Sequence, residues 1–342
     1  MEKILIYFMF RSSLFIIYIT FVPTFKKIMI SRRLLRIKTL KILFAHLKSG
    51  NQSQLSSEKE LVFSIKKTYD LYHYILLLVI EIANYAQNRI EIGKQKYLPT
   101  PEEKNPNTKF VDNEIVALIR NNKNLQNYAN QEKLDWSDCS DLMKKIFNNM
   151  LNADYYKKYM ENDERSFAED KKLICRMLER EIEDLDYIYG LLEEKNIYWT
   201  DDLGFVLSMA IKTIRGFKTN QSEYTELLPL YKDFDDEKFA VRLFRRILAD
   251  YDKNESIIEE HTKNWDLERL AFMDTLILQM AIAEVSEFPE IPVSISIDEY
   301  IEISKYFSSP TSSAFINGVA DKIINQKIKN KEIVKKQTAE KV

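Results

Sequence analysis

The stretch Trp265–Ile324, WDLERLAFMDTLILQMAIAEVSEFPEIPVSISIDEYIEISKYFSSPTSSAFINGVADKII, decides the fold. From Glu268 to Val285 the apolar positions Leu270, Met273, Ile277, Met280 and Ala281 recur at helical spacing, and Ala271, Ala281 and Ala283 are small enough to admit a second helix closely. Pro289 and Pro292 end that helix and hold the chain extended. Ser296-Ile297-Asp298-Glu299 has the spacing of a capping box, so Ser296 is expected to cap the next helix, with Asp298 as a rival. Tyr300, Ile301, Ser304 and Phe307 continue it; Ser308–Ser313 reads as a loop, and Thr311 or Ser312 can cap a final helix. Inside that helix Gly318 costs about 1 kcal/mol against alanine, which predicts the close approach of a neighbouring helix. Asn317 is placed to bond a loop or a ligand. No segment here offers a catalytic group, which points to a binding protein rather than an enzyme.

Outward from this block the same texture persists. The chain has 342 residues, 45% of them apolar, with only 6 glycines and 8 prolines, too few turns for a sandwich or barrel. An all-α protein is expected, with helices over 31–48, 58–92, 111–128, 137–160, 166–195, 200–215 and 233–262. The proline-bearing stretch 94–109 reads as the internal boundary. Trp136 and Trp199 read as packing residues. Asp201-Asp202, near a helix start, has no third ligand or histidine to make a metal or acid/base site. Cys139 and Cys175 lie far apart and suit a reducing cytoplasm; the three histidines are scattered, so no metal and no cofactor is expected.

Charge is uneven. The net is −2, yet no acidic residue lies from Lys3 to Ser57, while ten basic residues do, leaving about −12 for the remainder. Such a basic arm is the footprint of a polyanion-binding segment. Within it, Ile37, Leu40, Phe44 and Leu47 mark one helical face. The apolar runs Ile4–Phe10 and Leu14–Phe25 are each shorter than the roughly 20 residues a spanning helix needs. No membrane segment is expected, and the sequence from Met29 makes a normal beginning for a soluble helix, so 1–28 is read as an extension upstream of the true start.

At both ends the residues resemble the NusB family of transcription antitermination factors. The resemblance rests on Pro292-Val293, Ile297-Asp298-Glu299, Glu302-x-x-Lys305-x-Phe307 and Phe315-Ile316-Asn317-Gly318-Val319-x-Asp321-Lys322-Ile323. Upstream, Asp274-x-x-Ile277-Leu278-x-x-Ala281-x-x-Glu284 is similar to the preceding family helix, and Arg32-Arg33-x-x-Arg36 before Leu43-Phe44 to the arginine-rich first helix. Gln279 stands where the family usually has Arg, Asp298 where it has Asn, and Phe44 where Tyr is common. The resemblance covers 29–50 and 233–328, making 51–232 a helical insertion and 329–342 a charged tail. It implies two packed three-helix bundles, and a partnership with the ribosomal protein NusE that holds boxA RNA of ribosomal RNA leaders against RNA polymerase. On that reading Arg32, Arg33, Arg36 and Lys38 contact phosphates, Phe44 and Phe315 stack on bases, Asn317 bonds base or backbone, and Glu268 and Asp274 face the ribosomal partner. Two other readings stand beside it: a helical protein–protein scaffold without RNA binding, and the NusB-like domain of an RNA cytosine methyltransferase. The latter would need a Gly-rich cofactor turn that this sequence lacks.

Overall fold

The computed structural model describes residues 29–336 apart from 51, 183–185 and 263–270. The extension 1–28, Trp265, Glu268 and the last six residues of the tail lie outside the described residues. Among those described, every regular element is helical. In chain order they are α1 (Arg32–Ser49), α2 (Gln54–Lys94), α3 (Pro101–Lys104), α4 (Glu114–Asn121) and α5 (Lys123–Glu132). Next come α6 (Ser140–Asn152), α7 (Asp154–Glu161), α8 (Phe167–Met177), α9 (Asp186–Lys195) and α10 (Leu203–Gly216). The last five are α11 (Phe234–Ala249), α12 (Tyr251–Thr262), α13 (Phe272–Glu287), α14 (Val293–Phe307) and α15 (Ser312–Lys329). No described helix is long and apolar enough to cross a membrane.

The chain divides into two compact units, one of 30–65 with 230–336 and one of 66–229. In the first, α13 is the central helix. It is buried on every side, Leu276–Val285 without interruption, and a mostly apolar helix of that kind must be enclosed. It packs against α1, α11, α12, α14 and α15. Thus α1 and α11 form one three-helix group with α13, and α14 and α15 form another around the same helix. Helix α1 starts at Ser31, whose hydroxyl accepts from the Leu34 N–H, and ends at Gly50 in the left-handed conformation, φ 65°.

Three local expectations are corrected. Ser296 does not cap α14, and neither does Asp298. Pro292, with φ −57° and ψ 142°, takes the cap position; the helix starts at once behind it, and the Ser296 N–H already donates to the Pro292 carbonyl. Neither Thr311 nor Ser312 caps α15 through its side chain; the Ser312 hydroxyl donates to Asp274 instead. Among the described residues no helix approaches Gly318, which is exposed with nothing within 4 Å of where a Cβ would stand.

In the second unit several expected helices are shorter than their apolar periodicity. Asn122 divides 111–128, ending α4 and capping α5 with its side chain; Ala153 separates α6 from α7; a π-turn at Leu178–Ile182 separates α8 from α9. The long α2 keeps its register, and Tyr74–Ile80 is buried throughout. The Tyr74 ring stacks on Trp136 at 3.7 Å and on Trp199 at 5.1 Å. Each indole N–H donates to an α2 carbonyl, that of Tyr74 or of Lys67, so both tryptophans pack as expected. The stretch 94–109 belongs to this unit and is no boundary. It is tied down locally, by a Thr100–Glu103 capping box and by Lys109, whose buried ammonium donates to the carbonyls of Tyr159, Asn162 and Glu164.

Candidate nucleic-acid interface

The arginines of α1 are committed to carboxylates. The Arg32 Nε donates to Asp236 on α11 at 2.7 Å. Arg33 grips Glu299 on α14 through two bonds of 2.8 and 2.9 Å. Arg36, only 3% exposed, grips Glu284 on α13 through two bonds of 2.7 Å. Glu284 is fully buried and also accepts from the hydroxyls of Ser296 and Tyr300, at 2.7 Å each, so its acceptor capacity is filled. Burial alone would raise its pKa, but the Arg36 charge and these hydrogen bonds hold it below the usual carboxylate value. The Arg32 and Arg36 guanidinium groups both lie over the Phe239 ring, at 5.3 and 5.4 Å. One helix is thereby fastened to three others. Arg36 and Lys38, both 3% exposed, are withdrawn from solvent in this conformation, whereas Arg32 and Arg33 keep partial exposure while paired.

The opposite end of α1 is different. Phe44 is half-buried and meets the Phe272 ring edge-on at 5.6 Å; the exposed Lys48 ammonium lies 4.0 Å from the centroid of the same ring. Phe272 opens α13, and Asp274, two residues on, accepts from the hydroxyls of Ser308 and Ser312. The first turn of α13 therefore gathers the end of α1 and the start of α15. Asp274 is 5% exposed, and its carboxylate is bonded to this loop. On α15, Phe315 is buried and Asn317 exposed. Phe44 follows Arg36 by eight residues, about 12 Å along a helix, so the structure does not merge the arginines and the aromatic cluster into one patch. Sequence reasoning missed Phe272; its only signal was an aromatic residue at the head of an apolar helix. It also missed that Asp236, Glu284 and Glu299 complement the three arginines.

Among the described residues no group of three or more His, Cys, Asp and Glu could hold a metal. The arrangement defines a class: an all-helical domain assembled from two separated segments, in which an arginine-rich helix is clamped onto a C-terminal helical layer. The profile described as the NusB family matches residues 208–325. The transcription antitermination protein NusB of Salinibacter ruber is 42% identical over 97 residues, 28% of this chain and 61% of that protein. That of Myxococcus xanthus is 37% identical over 92 residues, 27% and 66% respectively. That of Natranaerobius thermophilus is 33% identical over 94 residues, 28% and 68%. The chain belongs to the NusB family. It spans about six tenths to two thirds of the length of these relatives. The match begins at 208, ahead of the expected 233, and leaves out α1, which packs on α11 and α13 in space. No solved structure matches the chain.

Proposed function

We propose that the protein is an RNA-binding transcription antitermination factor. Its first unit, together with the ribosomal protein NusE, holds boxA-type single-stranded RNA in an RNA polymerase antitermination complex. The Phe44–Phe272–Lys48 cluster at the head of α13 carries this reading: two half-buried rings supply stacking platforms and an exposed ammonium supplies a phosphate partner. The exposed Asn317 on α15, where Phe315 is buried, is a further candidate contact, and the partly exposed Arg32 and Arg33 keep a separate share at the other end of α1. Arg36 and Lys38, withdrawn from solvent, serve the fold of the first unit, and Glu268 stays a candidate for the protein partner.

The test is a fluorescence titration of boxA RNA with and without NusE at two salt concentrations. Binding is expected to tighten with NusE and to weaken with salt. Phe44→Ala should cost about 1–3 kcal/mol of affinity, and Lys48→Gln should lower the salt slope by about 0.7. The commitment of the arginines to carboxylates favours a second reading, a protein–protein scaffold without RNA binding. RNA binding absent at both salt concentrations, with or without NusE, would establish that reading.

A further inference from the structure

The second unit carries a cavity of about 600 Å³ that the RNA reading leaves unused. That volume falls within the range of small-molecule sites. Much of the lining is apolar and aromatic: Phe110, Phe147 and Tyr156, with Leu151 and Met160 beside them. Phe110 and Phe147 each meet the Tyr156 ring edge-on, at 5.7 and 6.2 Å, so the three rings brace one another. The Thr100–Glu103 capping box and the Lys96–Glu103 ion pair fix another part of the lining.

Three tyrosines of α7 are buried, and one of them differs from the others. The Tyr155 hydroxyl donates to Glu181 at 2.9 Å, and that of Tyr159 to Asp170 at 2.6 Å. The Tyr156 hydroxyl has no hydrogen-bond partner among the described residues, although Tyr156 is only 5% exposed and lines the cavity. A buried polar group of this kind is satisfied by what enters the cavity, water or ligand. Burial raises its pKa, against the lowering effect of the Arg89 charge, so the hydroxyl stays protonated and offers a donor.

Charge narrows the occupant by cancelling. Arg89, Lys96 and Lys157 line the cavity together with Glu102, Glu103 and Glu161, three of each sign. Lys96 is paired with Glu103, and Arg89 is laid over Phe147 and bonded to Asn148. A charged ligand would lose its water shell against the apolar rings with no net counter-charge to replace it. Residues 66–229 as a whole hold 23 Lys and Arg against 28 Asp and Glu, a net of −5, which disfavours a phosphate backbone.

We propose that this cavity binds a small uncharged aromatic molecule, its ring against Phe110, Phe147 and Leu151 and one oxygen acceptor on the Tyr156 hydroxyl. The probe is Prodan, a neutral naphthyl ketone. Its emission moves to the blue in apolar surroundings and to the red when its carbonyl accepts a hydrogen bond. Titrated against the full chain, it should saturate at a single site and raise the melting temperature. Tyr156→Phe should weaken binding about two- to tenfold and shift the bound emission further to the blue. The melting temperature of that variant should not fall, because the lost hydroxyl has no partner among the described residues. Leu151→Trp, which fills the cavity, should weaken binding about tenfold or more; if it does not fold, Tyr156→Phe decides. Anilinonaphthalene sulfonate, an anion of similar size, should bind about tenfold more weakly than Prodan. No saturable binding, equal binding by the sulfonate, undiminished binding in a folded Leu151→Trp, or unchanged affinity and emission in Tyr156→Phe would overturn the proposal. So would displacement of the dye by a single-stranded oligouridylate or a lysine-rich peptide, because the cavity would then serve a macromolecule.

Discussion

Arg36 and Glu284 set the strongest single-residue expectation. Removing the arginine leaves a carboxylate inside the first unit with only two hydroxyl donors. Arg36→Ala should therefore destabilise that unit by about 3–5 kcal/mol in chemical denaturation. Any loss of RNA affinity in this variant should accompany the loss of fold. Combined with Glu284→Gln, which still accepts from Ser296 and Tyr300, the double-mutant cycle should return a coupling of about 0.5–3 kcal/mol. Because the folded pKa of Glu284 lies below its unfolded value of 4.5, the stabilisation is present above that pH and is lost as pH falls through it. His73 in the second unit acts in a higher window. Its buried ring stacks on Tyr128 at 3.9 Å, Nδ1 bonds the Tyr69 carbonyl, and burial lowers its pKa from 6.5 to about 4. The unfolded chain then takes up the proton first, so stability should fall by up to about 3 kcal/mol between pH 6.5 and 4. In His73→Gln that part of the pH profile should be flat in thermal melts.

Two glycines of helical elements should respond in opposite senses. Gly50 ends α1 at φ 65°, where a side chain is strained; Gly50→Ala should cost about 1 kcal/mol. Gly318 sits in the exposed face of α15 with open space around it; Gly318→Ala should gain about 0.5–1 kcal/mol in urea denaturation. If RNA lies along that face, the same substitution should weaken boxA binding while raising stability. At this scale most of the fold was legible, because α1, α2, α13 and α15 announce themselves through apolar spacing and few breakers. The helix breaks at Asn122 and Ala153 were not, since neither residue is a proline or glycine and the apolar rhythm runs through them. The cap of α14 was misjudged because Ser296-x-x-Glu299 satisfies a local rule that Pro292 pre-empts. The candidate site was legible only by residue type. A row of arginines looks the same whether it awaits phosphates or carboxylates, and the carboxylates that decide the matter lie more than 200 positions away.

For the molecule as a whole, the first unit is discontinuous, and its C-terminal segment cannot be complete alone. A fragment of 230–342 would leave Asp236, Glu284 and Glu299 without their arginines and one side of α13 without α1. It should show helical circular dichroism without a cooperative melt, and a synthetic peptide of 29–50 added in trans should restore the transition. The ion pairs also impose a timetable on synthesis. They join residues 204, 248 and 266 positions apart, so at roughly 5–20 residues per second α1 waits roughly 10–50 s for its carboxylates to be translated. Throughout that interval the nascent chain carries Arg32, Arg33 and Arg36 ahead of Asp236, Glu299 and Glu284, while the acidic second unit is made and can fold behind it.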